Sequence, residues 1–292
     1  MPAPLVLLES LFDYAGLFPP ARLSMLDAVS NHAAYIHGPH ASCLGRFIVP
    51  VARLAEFEAA YSQRPSDGQR NWDLAVIIGT DPAADATAVT SFNSRHKSVR
   101  IAAVETKAAQ VGEIGNITGS FGPTFEIWVE IPSNGEPAPL LKAIKAAKCG
   151  AKVRLGGVTP GAFPPAEEVA RFLVSCHQAG VVCKATAGLH HPFRGEYPLT
   201  YEPGSPSAVM FGFLNVVLAA TLLQAGGDLI DATSLLTESA PQSFRVSDGA
   251  IGWRQYSLSS AQIAAARHNL CRSIGSCSFT EPVDGLLALC WL

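Results

Sequence analysis

The sequence of 292 residues predicts an α/β protein built as a (β/α)8 barrel of the TIM type, on three observations. Short β-rich runs recur along the chain with helical segments between them, and most of these runs are continuously apolar. Continuous apolar runs are typical of parallel strands, because helices cover both faces of a parallel sheet. The length also suits one barrel, which commonly needs about 250 residues.

An open doubly wound parallel sheet is the alternative architecture. A dinucleotide-binding sheet of that kind carries a Gly-x-Gly-x-x-Gly turn after its first strand, and none follows the first run here. The barrel is therefore the favoured prediction.

The apolar runs predict the first six strands, and helices are predicted between them. Pro82, Pro137 and Pro165 mark helix starts, where a missing N–H costs little, and Gly150 and Gly180 mark helix ends. The predicted strands are 47–49, 74–78, 99–104, 125–131, 152–155 and 181–186, and the predicted helices are 53–61, 82–94, 137–149 and 164–179.

The last third of the chain shows a weaker strand pattern. Residues 207–238 are helical in pattern and supply no strand. The turn sequence Ser247-Asp248-Gly249 joins 243–246 to 250–256, which predicts a hairpin where strand seven is needed. Residues 259–273 are predicted as helix, 274–279 as strand eight and 282–292 as a closing helix.

Residues 1–292 are predicted to form a single barrel domain, with 1–40 as an N-terminal extension that packs on it. The aromatic segment 13–20 is expected either to lie across a barrel end, with Asp13 reaching the site, or to plug the opposite end.

Composition excludes several classes of protein. A hydrophobic fraction of 48% with 15% charged residues supports a large core, and a net charge of −3 without a basic stripe argues against nucleic-acid binding. The longest apolar stretch, 209–225, contains Asn215 and Gln224 and is short for a membrane span. Seven cysteines without a C-x-x-C motif indicate reduced thiols and a cytoplasmic location. No resident cofactor is expected, the partner is a small-molecule substrate, and a homo-oligomer is left open.

Charged residues close four of the otherwise apolar strands. Glu105, Glu130, Arg154 and Lys184 stand at or just after strand ends. In a parallel barrel the carboxyl ends of the strands carry the function, and buried charges need partners. We therefore expect these side chains to share one site.

Lys184 is the candidate nucleophile of this site. Desolvated beside apolar neighbours and near Arg154, its ammonium group is expected to have a lowered pKa and to form a Schiff base with a carbonyl. The alternative is a structural ion pair with Glu130. Glu130 is otherwise a candidate general acid or base, and Arg154 a clamp for a carboxylate or phosphate.

The loop after strand six adds His190 and His191. Neighbouring side chains diverge in an extended loop, so only one of the two is expected to face the site, with His190 as a proton shuttle and His191 as a binding residue. Three carboxylates, Asp13, Glu105 and Glu281, complete the predicted substrate-binding set. Cys277 is either a nucleophile or an ordinary buried thiol, and the buried thiol is favoured, because the sequence positions no partner histidine.

The segment Lys184-Ala185-Thr186-Ala187-Gly188-Leu189 resembles the strand-six segment of deoxyribose-phosphate aldolase-like class I aldolases, in which Lys-x-Ser/Thr-x-Gly carries the Schiff-base lysine. The resemblance covers six residues and implies that Lys184 is that lysine and Glu130 an acid on strand four. No second lysine on strand seven and no glycine-rich phosphate loop follow, which argues against a phosphorylated sugar. Segments 13–20 and 184–192 also resemble an uncharacterised bacterial barrel-like family, which implies no activity.

Three functions follow as hypotheses. The first is an aldolase-like or lyase enzyme that acts on a small anionic carbonyl compound through an imine at Lys184. The second is a divalent-metal-dependent lyase or hydrolase that uses Glu105, Glu130 and a loop histidine as ligands. The third is a non-enzymatic barrel that binds a metabolite or a partner protein.

Overall fold

The structure, a computed structural model, describes residues 1–64 and 71–292. In this part of the chain, eight parallel strands close into a barrel with helices around it. The predicted (β/α)8 TIM-type fold is confirmed, and closure of the sheet rules out the open doubly wound alternative.

The elements are numbered in chain order within the described residues. The strands are β1 (Phe12–Tyr14), β2 (Leu44–Pro50), β3 (Trp72–Ile77), β4 (Val99–Lys107), β5 (Glu126–Glu130), β6 (Gly150–Arg154), β7 (Cys183–Thr186), β8 (Gly195–Pro198), β9 (Ser207–Met210), β10 (Phe244–Val246), β11 (Ala250–Trp253), β12 (Tyr256–Ser259) and β13 (Cys271–Ser276). The helices are α1 (Ala3–Leu8), α2 (Met25–Tyr35), α3 (Leu54–Gln63), α4 (Pro82–Arg95), α5 (Val111–Phe121), α6 (Ala138–Ala146), α7 (Ala166–Ala179), α8 (Phe213–Gln224), α9 (Leu229–Leu236), α10 (Ser260–Asn269) and α11 (Thr280–Ala288). The barrel consists of β1 to β7 and β13, in that order around the wall.

The first barrel strand lies in the segment that was predicted as an extension. β1 pairs in parallel with both β2 and β13, so Asp13 is part of the barrel wall and not of a segment packed on it. Each of the six predicted strands is therefore one place later in the barrel than predicted, and Lys184 lies on the seventh barrel strand, β7. The sequence pattern misses β1 because three residues with a carboxylate in the middle show no apolar periodicity.

The seventh strand was placed wrongly. The hairpin around Ser247-Asp248-Gly249 does form, since β10 and β11 pair antiparallel, but together with β12 it makes a separate three-stranded sheet. The turn chemistry predicts a hairpin correctly and carries no information on which sheet the hairpin joins. The last barrel strand is β13, which begins three residues before the predicted strand eight.

The apolar stretch in the last third of the chain forms the buried helix α8. Of its twelve residues, eleven are buried. Asn215 is tolerated there because its amide donates to the main-chain oxygens of Leu235 and Glu238 at 2.8 and 2.9 Å, and its Oδ1 accepts from the Arg194 N–H at 2.9 Å. Within the described residues, no helix is long and apolar enough to cross a membrane.

Alternation along the strands gives the barrel interior an apolar layer and an ionic layer. Ala103 and Trp128 pack with Ile48 and Ala75 in the apolar layer. Two residues further on, Glu105 and Glu130 point to the same side, because side chains alternate with a period of two in a strand. The ionic layer therefore lies toward the carboxyl ends of the strands.

His32 of α2 is a buried histidine without a partner among the described residues. Its ring packs against Tyr14, Phe47 and Trp72, with neither ring nitrogen hydrogen-bonded. Burial lowers the pKa of His32 from 6.5 to about 3, so the ring is neutral in the folded protein. The unfolded chain then binds one proton more than the folded chain between these two pKa values, and stability is lost as pH falls through this window.

We expect His32→Phe to reduce this loss. The difference in the free energy of unfolding, variant minus parent, should increase as pH falls from 6.5 toward 3, by at most about 1.4 kcal/mol per pH unit. Urea titrations at several pH values measure it. His177→Phe on the exposed face of α7 is the control and should follow the parent. Parallel stability curves for parent and His32→Phe would show that His32 does not titrate in this way.

Candidate active site

A cavity of about 250 Å³ opens at the carboxyl ends of the barrel strands. Its wall is formed by strand ends, by the segment after β7 and by residues just after β13. The charged or nucleophilic residues that line it are Glu105, Lys152, Arg154, His190, His191, Cys277 and Glu281. This is the end at which barrel enzymes hold their substrates.

Below the cavity, acids and bases alternate through the barrel interior. Lys184 Nζ lies 2.5 Å from Asp13 Oδ2 and 2.6 Å from Glu105 Oε1. Lys152 Nζ lies 2.8 Å from Glu105 Oε2 and 3.0 Å from Glu130 Oε2. We call these five residues, Asp13, Lys184, Glu105, Lys152 and Glu130, the ionic chain.

The strand register places the members of the ionic chain side by side. Lys152 of β6 is the register partner of Lys184 on β7 and of Glu130 on β5. Two ammonium groups on neighbouring strands would repel each other, but one carboxylate, that of Glu105, accepts a hydrogen bond from each. Glu105 is thus the central link of the chain.

The first member of the chain is held from below. Asp13 Oδ1 accepts from the Arg46 main-chain N–H at 2.8 Å, and Asp13 Oδ2 accepts from the Ser273 hydroxyl at 2.7 Å. Residue 45 must be glycine for this arrangement, because a Cβ atom there would lie 2.4 Å from Asp13 Oδ1.

The ionic chain shifts the pKa of its buried members. Burial alone would raise the pKa of Glu105, but the ammonium groups of Lys184 and Lys152 outweigh it and lower this pKa to about 2. Burial alone would lower the pKa of Lys184, but the carboxylates of Asp13 and Glu105 outweigh it and raise this pKa. Both groups are therefore charged at neutral pH.

Lys184 does not have the surroundings that were expected of it. The predicted lowering of its pKa is wrong, because two carboxylates contact the ammonium group directly. Lys184 is 1% exposed and is not part of the cavity lining, and its partners are Asp13 and Glu105 rather than Arg154 or Glu130. The lysine that lines the cavity is Lys152, which the strand-end pattern overlooked.

Glu130 and Arg154 lie together at the rim. Arg154 Nε and Lys107 Nζ each lie 3.4 Å from Glu130 Oε1. Burial alone would raise the pKa of Glu130, but Lys152 and Arg154 outweigh it and lower this pKa. Glu130 lines a second, more open cavity of about 650 Å³, and Arg154 lines both cavities. The half-exposed guanidinium group is thus available to an anion in either space.

Both loop histidines line the cavity, so the expectation that only one faces it is wrong. Ala187 and Gly188 have φ angles of 66° and 70°, and this left-handed turn replaces the extended loop in which neighbouring side chains diverge. The ring of His191 stacks on Tyr197 at a centroid distance of 3.5 Å, and burial together with the charge of His190 lowers the pKa of His191 to about 4.

His190 contacts a thiol and a carboxylate. Its Nδ1 lies 3.0 Å from Glu281 Oε2, and both ring nitrogens lie 3.8 Å from Cys277 Sγ. Burial alone would lower the pKa of His190, but Cys277 and Glu281 outweigh it and raise this pKa to about 10. Cys277 therefore has a histidine partner that the sequence does not position, because the fold joins residues that are 87 positions apart in the sequence.

The metal-binding hypothesis requires a cluster of ligand side chains. Among residues 1–64 and 71–292, no group of three or more His, Cys, Asp or Glu side chains is arranged to hold a metal ion. Glu105 and Glu130, the two proposed oxygen ligands, have lysine ammonium groups as their partners instead.

Comparison with known proteins gives no relative for this chain. No protein-family model, curated protein or solved structure matches it significantly.

We expect Lys184→Met to destabilise the fold strongly. The substitution removes the only cation that joins Asp13 to Glu105 within the described residues, so the buried carboxylate of Asp13 loses its cationic partner while Glu105 keeps Lys152. Breaking a buried pair in this way costs about 3–5 kcal/mol, measurable by urea titration at pH 7. Lys107→Met, which removes an exposed partner of Glu130, is the control and should change stability by less than about 0.5 kcal/mol. Equal effects of the two substitutions would contradict a structural role for Lys184.

Proposed function

We propose that this barrel is an enzyme of the lyase or aldolase-like type, which acts on a small anionic carbonyl compound through an imine on Lys152. The observation that carries the proposal is the position of Lys152, whose side chain lines the cavity while it is paired with Glu105 and Glu130. The TIM-type barrel is compatible with an enzyme.

The contacts of Lys152 suit the proton transfers of imine formation. An ammonium group must lose a proton before it attacks a carbonyl carbon, and Glu130 at the rim offers a carboxylate oxygen at 3.0 Å to receive it. The amine then adds to the carbonyl carbon, and water leaves from the resulting carbinolamine. The iminium ion that forms carries the same charge at the same place as the original ammonium group.

Charge balance in the ionic chain is therefore kept before and after imine formation. Glu105 retains Lys184 as a partner while Lys152 is neutral, so its carboxylate is never left without a cation. This gives Lys184 a supporting role in the proposal, in place of the covalent role that the aldolase-like segment implied for it.

The anionic group of the substrate would lie on Arg154. Its guanidinium group is half exposed, lines the cavity, and is held by Glu130 through a long contact of 3.4 Å. A carboxylate can take a paired, charge-assisted contact from such a group. A cavity of about 250 Å³ limits the substrate to a small molecule.

Borohydride trapping tests the proposal. Protein incubated with pyruvate, glyoxylate or acetaldehyde and sodium borohydride is digested, and the modified peptide is identified by mass spectrometry. We expect a reduced adduct on Lys152 that disappears in Lys152→Met and persists in Lys107→Met. An adduct on Lys184 would restore the original assignment to that residue. Adducts on neither lysine with any of the compounds would contradict imine chemistry and favour a barrel that only binds its ligand.

Arg154→Gln tests the anion contact separately. We expect the concentration of glyoxylate for half-maximal trapping to rise about ten-fold or more, because a charged hydrogen bond contributes about 1.5–3 kcal/mol. Trapping of acetaldehyde, which has no anionic group, should be unchanged. Arg171→Gln on the exposed surface of α7 is the matched control. An equal loss of trapping with glyoxylate and with acetaldehyde would show that Arg154 does not bind the anionic group of the substrate.

A further inference from the structure

A second reactive cluster lines the cavity and takes no part in the imine chemistry proposed above. It consists of Cys277, His190, Glu281 and Tyr201, which we call the thiol cluster. Cys277 follows β13 directly, His190 follows β7, Glu281 lies in the first turn of α11, and Tyr201 lies between β8 and β9. Four separate segments of the chain thus bring titratable groups to one side of the cavity.

The contacts within the thiol cluster have a defined order. Cys277 Sγ lies 3.8 Å from the His190 ring nitrogens, and His190 Nδ1 lies 3.0 Å from Glu281 Oε2. The Tyr201 hydroxyl donates to the same Oε2 at 2.9 Å and lies 3.8 Å from Cys277 Sγ. A nucleophile, a base within reach of it, and a third group that orients the base are the arrangement that covalent catalysis requires.

The backbone around the cluster is built to hold it. Glu281 is fixed at the start of α11, where its main-chain N–H donates to the Ser278 hydroxyl at 3.1 Å. Ala187 and Gly188 form the left-handed turn between β7 and His190, and both residues line the cavity. A non-glycine residue such as Ala187 rarely adopts this conformation, and backbone strain of this kind concentrates at functional sites.

We propose that Cys277 is a second nucleophile of the cavity, paired with His190 and able to take the carbonyl carbon of an aldehyde as a reversible hemithioacetal. Glu281 and Tyr201 are positioning residues, since they act through His190. The inference does not depend on the imine at Lys152, which uses a different atom and different partners.

The step is balanced without an oxidant or any other reactant. The sulfur lone pair of the thiolate forms the S–C bond, and the π pair of the carbonyl moves to its oxygen. That oxygen takes the proton from His190 Nε2, and the ring is left as a neutral imidazole hydrogen-bonded to Glu281 through Nδ1. The reverse step returns the proton to His190 and releases the aldehyde.

The electrostatics of His190 and Glu281 suit a ring that donates its proton to the carbonyl oxygen. The pKa of His190 is raised to about 10, with burial opposing and Cys277 and Glu281 outweighing it, so the ring holds its proton at neutral pH. Burial alone would raise the pKa of Glu281, but His190 outweighs it and lowers this pKa. The carboxylate is therefore ionised and holds the imidazolium ring in place.

Rates of alkylation by iodoacetamide at pH 7, read cysteine by cysteine from peptide masses, test the proposal. Cys290 is exposed and serves as the internal reference. We expect Cys277 to react about ten-fold or more faster than Cys290, and His190→Gln to slow Cys277 by about ten-fold or more without changing Cys290. Glu281→Gln should slow Cys277 less. Lys152→Met should leave the rate of Cys277 unchanged, which separates this proposal from the imine.

Protection by an aldehyde tests the covalent step. Acetaldehyde should slow alkylation of Cys277 in the parent and in Lys152→Met, and ethanol should not. A Cys277 that reacts no faster than Cys290, that iodoacetamide does not reach, or that keeps its rate in His190→Gln would overturn the proposal. Loss of acetaldehyde protection in Lys152→Met would show that the lysine adduct alone shields the thiol, and would overturn the hemithioacetal step.

Discussion

The ionic chain through the barrel interior is the interaction on which the site depends. Three carboxylates and two ammonium groups, all buried, would each be costly alone, and they are tolerable only because every member contacts a partner of opposite charge. Glu105 is the most important member, because its carboxylate contacts the ammonium groups of two lysines that the strand register places side by side. Removal of Lys184 leaves Asp13 without a cationic partner among the described residues, whereas removal of Lys152 leaves Glu105 with Lys184 and Glu130 with Arg154 and Lys107.

The two lysines of the ionic chain differ in their position relative to the cavity. Lys184 lies between Asp13 and Glu105 below the cavity and is sealed from it, whereas Lys152 sits one strand away and reaches the cavity wall. The same carboxylate contacts both, so in the proposed reaction Lys184 keeps Glu105 compensated while Lys152 is neutral. The buried ion pair of Lys184 and the lysine that we propose as the nucleophile are thus parts of one network.

Much of the fold could be predicted from the sequence, because parallel strands buried on both faces are continuously apolar and their helices are punctuated by proline and glycine. The same runs predict that Glu105, Glu130 and Arg154 lie close together, because the carboxyl ends of parallel strands meet at one end of the barrel. β1 could not be recognised, since Phe12–Tyr14 is too short for a period to show. Without β1 the ordinal of Lys184 was one too low.

Which charges pair could not be predicted either. The partners of Lys184 depend on the height of each side chain in the closed barrel, and Asp13 lies 171 residues away in sequence. Lys152 stands two residues before Arg154 on β6, so alternation places both on the interior face, but Lys152 begins the predicted strand 152–155 and is therefore not a strand-end charge. No local sequence pattern indicates the contact between Cys277 and His190.

A crystal structure of the protein after borohydride reduction with glyoxylate would show directly which lysine forms the imine. We expect continuous electron density from Lys152 Nζ to the former carbonyl carbon, the ligand carboxylate on Arg154, and an unmodified Lys184 that still contacts Asp13 and Glu105. Density that joins the ligand to Lys184, or a ligand in the cavity bonded to neither lysine, would contradict it.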